Sequence, residues 1–138
     1  MKKLITFIVA LLISCTYLFA QNKPINIVFD ITSKDTVDHK NVLRWVRDIS
    51  QEHPEANLEV VFYGKSLDMI IKDKSILTEG IENITKNPHV AFIVCEIALK
   101  NNNVEKSRLI SGVVTVRDGI LEIVSKQNAG WGYIKVSH

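Results

Sequence analysis

Cysteine is scarce in this chain: there are two in 138 residues, Cys15 and Cys95. Neither a Cys-x-x-Cys nor a His-x-x-x-His spacing occurs, and the four histidines are scattered at His39, His53, His89 and His138, so no metal site is predicted. Glycine is sparse as well, with six residues and no glycine-rich phosphate loop. Gly130-Trp131-Gly132 runs into strand-like sequence instead of a helix, so no nucleotide cofactor is implied. Repeats, low-complexity tracts and Pro-rich linkers are missing, which leaves a single domain. A basic excess is also missing once the amino-terminal leader is set aside. Without Lys2 and Lys3, fifteen of the seventeen Lys and Arg remain to face fifteen Asp and Glu. That balance points away from nucleic acid and weakly toward self-association.

What is present begins with that leader. Lys2 and Lys3 form a positive start, Leu4 to Ile13 an apolar run, and Leu18-Phe19-Ala20 a small-residue cleavage site before Gln21. The pattern is that of a secretory signal peptide over residues 1–20, leaving a mature domain of residues 21–138. The protein is therefore expected in the periplasm or secreted, with no stable membrane span after cleavage. Two rivals remain. Leu12-Ile13-Ser14-Cys15 resembles a lipoprotein signal, which would place a lipid on Cys15. An uncleaved anchor fits less well, because Ser14, Cys15 and Thr16 interrupt a run that needs about 20 apolar residues.

The remaining chain alternates strand and helix patterns. Ile25 to Asp30 reads as a strand, followed by a helix over about Val37 to Glu52 that stops near Pro54. Leu58 to Tyr63 is a second strand, closed by Gly64 and followed by a short helix from Lys65 to Ile71. Leu77, Ile81 and Ile84 mark a helix ended by Asn87-Pro88, and Val90 to Val94 is a doubly buried strand. Glu96 to Lys100 has helix-forming character, and Val104 to Ile110 a helical turn. Gly112 to Val116 is a fourth strand, Asp118 caps a helix, and Trp131 to Val136 is a fifth strand. The fold class this predicts is α/β: a flavodoxin-like, doubly wound, mostly parallel five-stranded sheet with helices on both faces.

A parallel sheet would bring Asp30, Tyr63-Gly64-Lys65, Cys95-Glu96 and Arg117-Asp118 to one edge, the edge where such sheets bind ligands. Cys95 is the reactive candidate. It falls where a strand ends and a helix begins, and backbone N–H groups there favour a thiolate. With Cys15 in the leader it has no internal disulfide partner, so it is a reactive thiol, an intermolecular bridge or an inert buried residue. Lys65 and Arg117 are placed to favour the thiolate and Glu96 to oppose it. Asp30 and Tyr63 are the remaining binding candidates. Acyl-transfer chemistry would need a nearby histidine, and only His39 is placed to approach. Asn83-Ile84-Thr85 matches a glycosylation sequon, but inside a helix it reads as chance. Trp131 and Tyr133 read as packing or subunit-contact residues.

Three blocks in order carry a likeness to a known family: Val61-Phe62-Tyr63-Gly64-Lys65-Ser66-Leu67, then Val90 through Cys95 to Leu99, then Gly112 to Ile123. The last continues into Gln127-Asn128-Ala129-Gly130-Trp131-Gly132-Tyr133-Ile134. Together they resemble the DsrE/DsrF-like family of sulfur-handling proteins over essentially the whole mature chain. The resemblance implies a flavodoxin-like domain assembled as a trimer or hexamer. It also implies a sulfurtransferase-like carrier in which the cysteine matching Cys95 bears sulfur as a persulfide and exchanges it with a donor or acceptor protein. Arg117-Asp118 stands where the family usually has Pro-Ser, and Glu96 sets an acid beside the thiol. The alternative is a non-catalytic ligand-binding or assembly module on the same scaffold, with Cys95 a buried structural residue.

Overall fold

The computed structural model describes residues 24–137. The leader, with Lys2, Lys3, Cys15 and the Ala20–Gln21 cleavage site, lies outside them, as does His138.

β1 (Asn26–Ile31) is rich in β-branched and aromatic residues and is followed by α1 (Thr36–Glu52). Asp35 caps α1, its Oδ1 accepting the Val37 N–H at 2.8 Å. β2 (Asn57–Phe62) leads through a short 3₁₀ turn (Ser66–Met69) to α2 (Thr78–Ile84) and β3 (Val90–Cys95). α3 (Glu96–Asn101) starts without a break, and a second 3₁₀ turn (Lys106–Arg108) precedes β4 (Val113–Val116). α4 (Gly119–Asn128) is capped by Asp118, which accepts the Ile120 and Leu121 N–H groups, and β5 (Gly132–Val136) closes the chain.

The helix expected from Lys65 to Ile71 is shorter than its pattern. The Ser66 hydroxyl donates to the Ile31 and Tyr63 carbonyls at 2.8 and 2.9 Å, which holds this segment in a tight turn against β1. Ile71 then bridges Leu109 instead of continuing a helix.

All five strands are parallel, in the order β4-β3-β2-β1-β5. Steps from β1 to β4 all move one way, and right-handed crossovers put α1, α2 and α3 on one face. The step from β4 to β5 returns across the sheet and puts α4 on the other. Packing follows this division. Phe29, Ile31, Val60, Phe62 and Phe92 join Val42 and Val46 of α1, Ile81 of α2 and Leu99 of α3 in one large core. The opposite face holds a small buried cluster of Val28, Val61 and Ile123, flanked by Tyr63 and Trp131. Both faces carry helices as expected, but unequally, and α4 leaves Ile120, Leu121 and Val124 exposed.

Candidate functional site

In an open parallel sheet the crevice forms between adjacent strands whose following helices leave to opposite faces. Here that pair is β3 and β4: α3 packs into the large core and α4 covers the other face. Cys95 ends β3 and pairs in register with Val116. Its Sγ lies 4.0 Å from the Arg117 carbonyl oxygen, a long sulfur contact that leaves the thiol without a strong hydrogen bond. The first turn of α4 presses close, since a Cβ added at Gly119 would come within 3.1 Å of both Cys95 Cβ and Val61 Cγ1. Glycine there lets the helix start directly beside the cysteine.

Cys95 is 6% exposed, yet it lines an open cavity of about 340 Å³ together with Tyr63, Gly64, Asn101, Asn102, Asp118 and Ile120. Two larger cavities, about 540 and 530 Å³, share Ile97 with the first, and the second of them Asp118 as well, but neither is bordered by Cys95. Volume favours those two; Cys95 borders the smaller one.

The sequence-predicted residues spread along this edge in strand order: Arg117, Cys95, Tyr63, Asp30. Tyr63 shares the Cys95 cavity. Arg117 approaches Cys95 through its carbonyl and also borders the two larger cavities. Lys65 borders a neighbouring cavity. Glu96 turns away: its carboxylate accepts from Lys106 Nζ and, at 2.8 Å, from Thr115 Oγ1. The Lys106 ammonium, with Thr115, holds that carboxyl below its ordinary range. His39 is buried on α1 with Nε2 2.9 Å from the Ser33 carbonyl, and it does not border the Cys95 cavity.

Asp30 organises a second cluster at the β1–β5 end. Tyr133 donates its hydroxyl to Asp30 Oδ2 at 2.6 Å, and Lys135 Nζ donates to Oδ1 at 3.0 Å and to Thr32 Oγ1 at 2.9 Å. Lys135 Nζ also sits 5.7 Å from the Tyr63 ring centroid, so Tyr63 links the two clusters. The sequence pattern reads Tyr133 as a packing or subunit-contact residue and gives Lys135 no role. The alternation in Gly132-Tyr133-Ile134-Lys135-Val136, which sets both on the Asp30 face, was the available signal. The hydrogen bond to Asp30, then burial, pushes the Tyr133 phenol up to about 12, and burial, then Asp30, pushes Tyr63 up as well. Both phenols hold their protons longer folded than unfolded. Their contribution to stability is therefore complete below pH 10 and lost as pH rises through the folded values. Tyrosinate absorbance of a protein spanning residues 21–138 is expected to stay flat past pH 10, and Asp30→Asn should return the Tyr133 transition toward 10. An ordinary transition near 10 in the unmutated protein would contradict this geometry.

A third polar group lies under α4. Glu59 is buried, with Oε2 2.6 Å from Lys126 Nζ, and Lys126 also reaches Glu122 at 3.4 Å and stands 4.5 Å over the Trp131 ring. Glu59 Oε1 has no partner among the described residues. Burial outweighs the lysine and pushes the Glu59 carboxyl up. This group pins the far end of α4, the helix whose first turn borders Cys95. No set of three or more His, Cys, Asp or Glu among the described residues could hold a metal.

These features define an all-parallel α/β domain with a single cysteine at the crevice of its carboxyl edge. No family model and no curated protein matches the chain. Among solved structures it is similar to the protein of unknown function MTH1491 from Methanobacterium thermoautotrophicum, at 26% identity and TM-score 0.75 over 80% of this chain and 98% of that one. It is also similar to the conserved protein of unknown function BT1422 from Bacteroides thetaiotaomicron, at 12% identity and TM-score 0.67 over 80% and 94%. A third is the ychN protein from E. coli, at 13% identity and TM-score 0.67 over 83% and 99%. The last two show a shared fold alone. The near-complete coverage of all three shows that the likeness is to whole domains.

Proposed function

We propose that this protein is an exported sulfur-handling protein of the DsrE/DsrF-like kind, in which Cys95 carries sulfur as a persulfide between a donor and an acceptor. The observation that carries the reading is the position of Cys95 at the β3–β4 crevice, bordering an open cavity at the end where parallel sheets hold their ligands. The family resemblance of the three sequence blocks supports it. In the loading step the Cys95 thiolate attacks the outer sulfur of a donor persulfide. The new S–S bond forms as the old one breaks, and the donor thiolate leaves with the electron pair.

The test is intact-mass measurement after exposure to polysulfide. Wild type is expected to gain one sulfur atom, reversibly by reductant, and Cys95→Ser to gain none. The same spectrum reads the amino terminus of periplasmic protein, expected at Gln21. Equal sulfur uptake by both proteins, or none by either, would reject the carrier.

The low exposure of Cys95, at 6%, favours a second reading in which the scaffold binds or assembles without chemistry and the thiol is structural. Self-assembly belongs to both readings. Ile97, Val114, Ile120, Leu121 and Val124 are exposed aliphatics around α4 and the β4 edge. A trimer or hexamer is expected from light scattering, and Leu121→Asp should shift it toward monomer. A wild-type monomer at micromolar concentration would refute assembly.

A further inference from the structure

Beside the Cys95 cavity lies another open cavity, of about 270 Å³, and Gly64 and Asn102 border both. Its charged residues are three lysines, Lys34, Lys65 and Lys74, against one carboxylate, Asp68. Lys74 Nζ is paired to Asp68 Oδ1 at 2.8 Å. The ammonium groups of Lys34 and Lys65 have no partner among the described residues. The fold brings these two together: the Lys65 N–H donates to the Thr32 carbonyl at 3.1 Å, which ties the loop after β2 to the loop carrying Lys34. Two uncompensated cations in a concave site focus positive potential and concentrate anions there. Lysine ammoniums bind such anions as adaptable point charges.

We propose that this lysine-lined cavity is an anion subsite of the Cys95 centre, seating the carboxylate of a small persulfide whose sulfur reaches Cys95 past Gly64 and Asn102. The inference rests on the carrier reading above and gives it a substrate class: low-molecular-weight thiols that bear a carboxylate. When the donor's outer sulfur moves to Cys95, the donor departs as a thiolate and its carboxylate stays against Lys34 and Lys65. Sulfur is neither gained nor lost overall, and no outside oxidant is required.

Two alkylating reagents of similar size test it on the native protein. Iodoacetate carries a carboxylate and iodoacetamide does not; both transfer their carbon to the Cys95 thiolate as iodide leaves. The ratio of their rates in native protein, divided by the same ratio in unfolded protein, is expected to favour iodoacetate by roughly fivefold. Lys34→Gln with Lys65→Gln, or raised salt, should return this quotient to about one. A quotient near one in wild type, or one unmoved by the lysine replacements, would overturn the subsite. If neither reagent labels folded protein, the carrier reading fails, and the subsite is judged on its own by titration with thioglycolate. Saturable shifts of the Gly64 and Asn102 amide resonances, lost in the double variant, would support it, and unshifted resonances would overturn it.

Discussion

Lys126→Met is expected to lower unfolding free energy by about 3 kcal/mol at neutral pH, because it strands the Glu59 carboxylate under α4. Removing one partner of a buried ion pair costs roughly 3–5 kcal/mol, and the low end applies because Lys126 is itself a quarter exposed. Loss of the ammonium over Trp131 adds to the effect. Glu59→Gln alone should cost little or even stabilise, since burial already disfavours the charged form. The double variant should therefore recover most of the loss, with a coupling of about 2 kcal/mol in a double-mutant cycle. The pH dependence has a definite sign. The Glu59 carboxyl lies above its ordinary 4.5 in the folded state, so stability falls as pH rises from that value through the folded one. Its charged neighbours are Lys126 and Glu122 of α4, while Val28 and Ala91, beside it in the sheet, do not titrate. The Lys126→Met deficit should thus be largest at neutral pH and shrink in acid, where Glu59 takes up its proton. Urea denaturation across pH measures all four proteins. A Lys126→Met deficit that is unchanged in acid, or not relieved by Glu59→Gln, would refute the pin.

Phe92→Ala is expected to cost about 3–5 kcal/mol, the range for deleting a fully buried phenylalanine. Phe92 has no exposed surface, and its ring stacks on Phe62 at 5.5 Å between centroids. It lies on β3 between β2 and β4 and faces the large core. The vacated space lies between the rest of the large core and the sheet, so little can collapse into it. β3 also delivers Cys95, three residues further on and part of the same buried core. The variant should therefore label faster at Cys95 as well as unfold at lower urea. Stability within 1 kcal/mol of wild type would show the core to be more plastic than its packing indicates.

Much of this architecture was readable from periodicity. Alternating β-branched runs and helical stripes located all five strands and four helices within a residue or two, because each element buries a continuous apolar set. Asp118 was legible as a cap, since a short acid before a helix has a local partner. The side-chain clusters were less legible. Asp30 meets Tyr133 and Lys135 only because β5 crosses the sheet to pair with β1, and nothing local announces that return. Glu59 offered a signal, a lone acid in the apolar strand Leu-Glu-Val-Val-Phe-Tyr, but its partner Lys126 lies on a distant helix. His39 was out of reach of Cys95 because it is buried on α1, with Nε2 held at the Ser33 carbonyl, and stands outside the Cys95 cavity. The strand-then-helix pattern around Val90 to Lys100 placed Cys95 at the carboxyl edge, and the strand order adds why that point is special. Flavodoxin itself has the order 2-1-3-4-5 with its crevice beside β1; here the reversal falls between β3 and β4.

The central claim is that Cys95 can be reached without unfolding the domain. Its alkylation rate by iodoacetamide, measured in native protein across sub-denaturing urea, tests this most directly. A rate nearly independent of urea, set by local access through the cavity beside Tyr63 and Asn102, is the predicted result. A rate that vanishes in water and climbs with the slope of global unfolding would mean a sealed thiol, and would contradict the account.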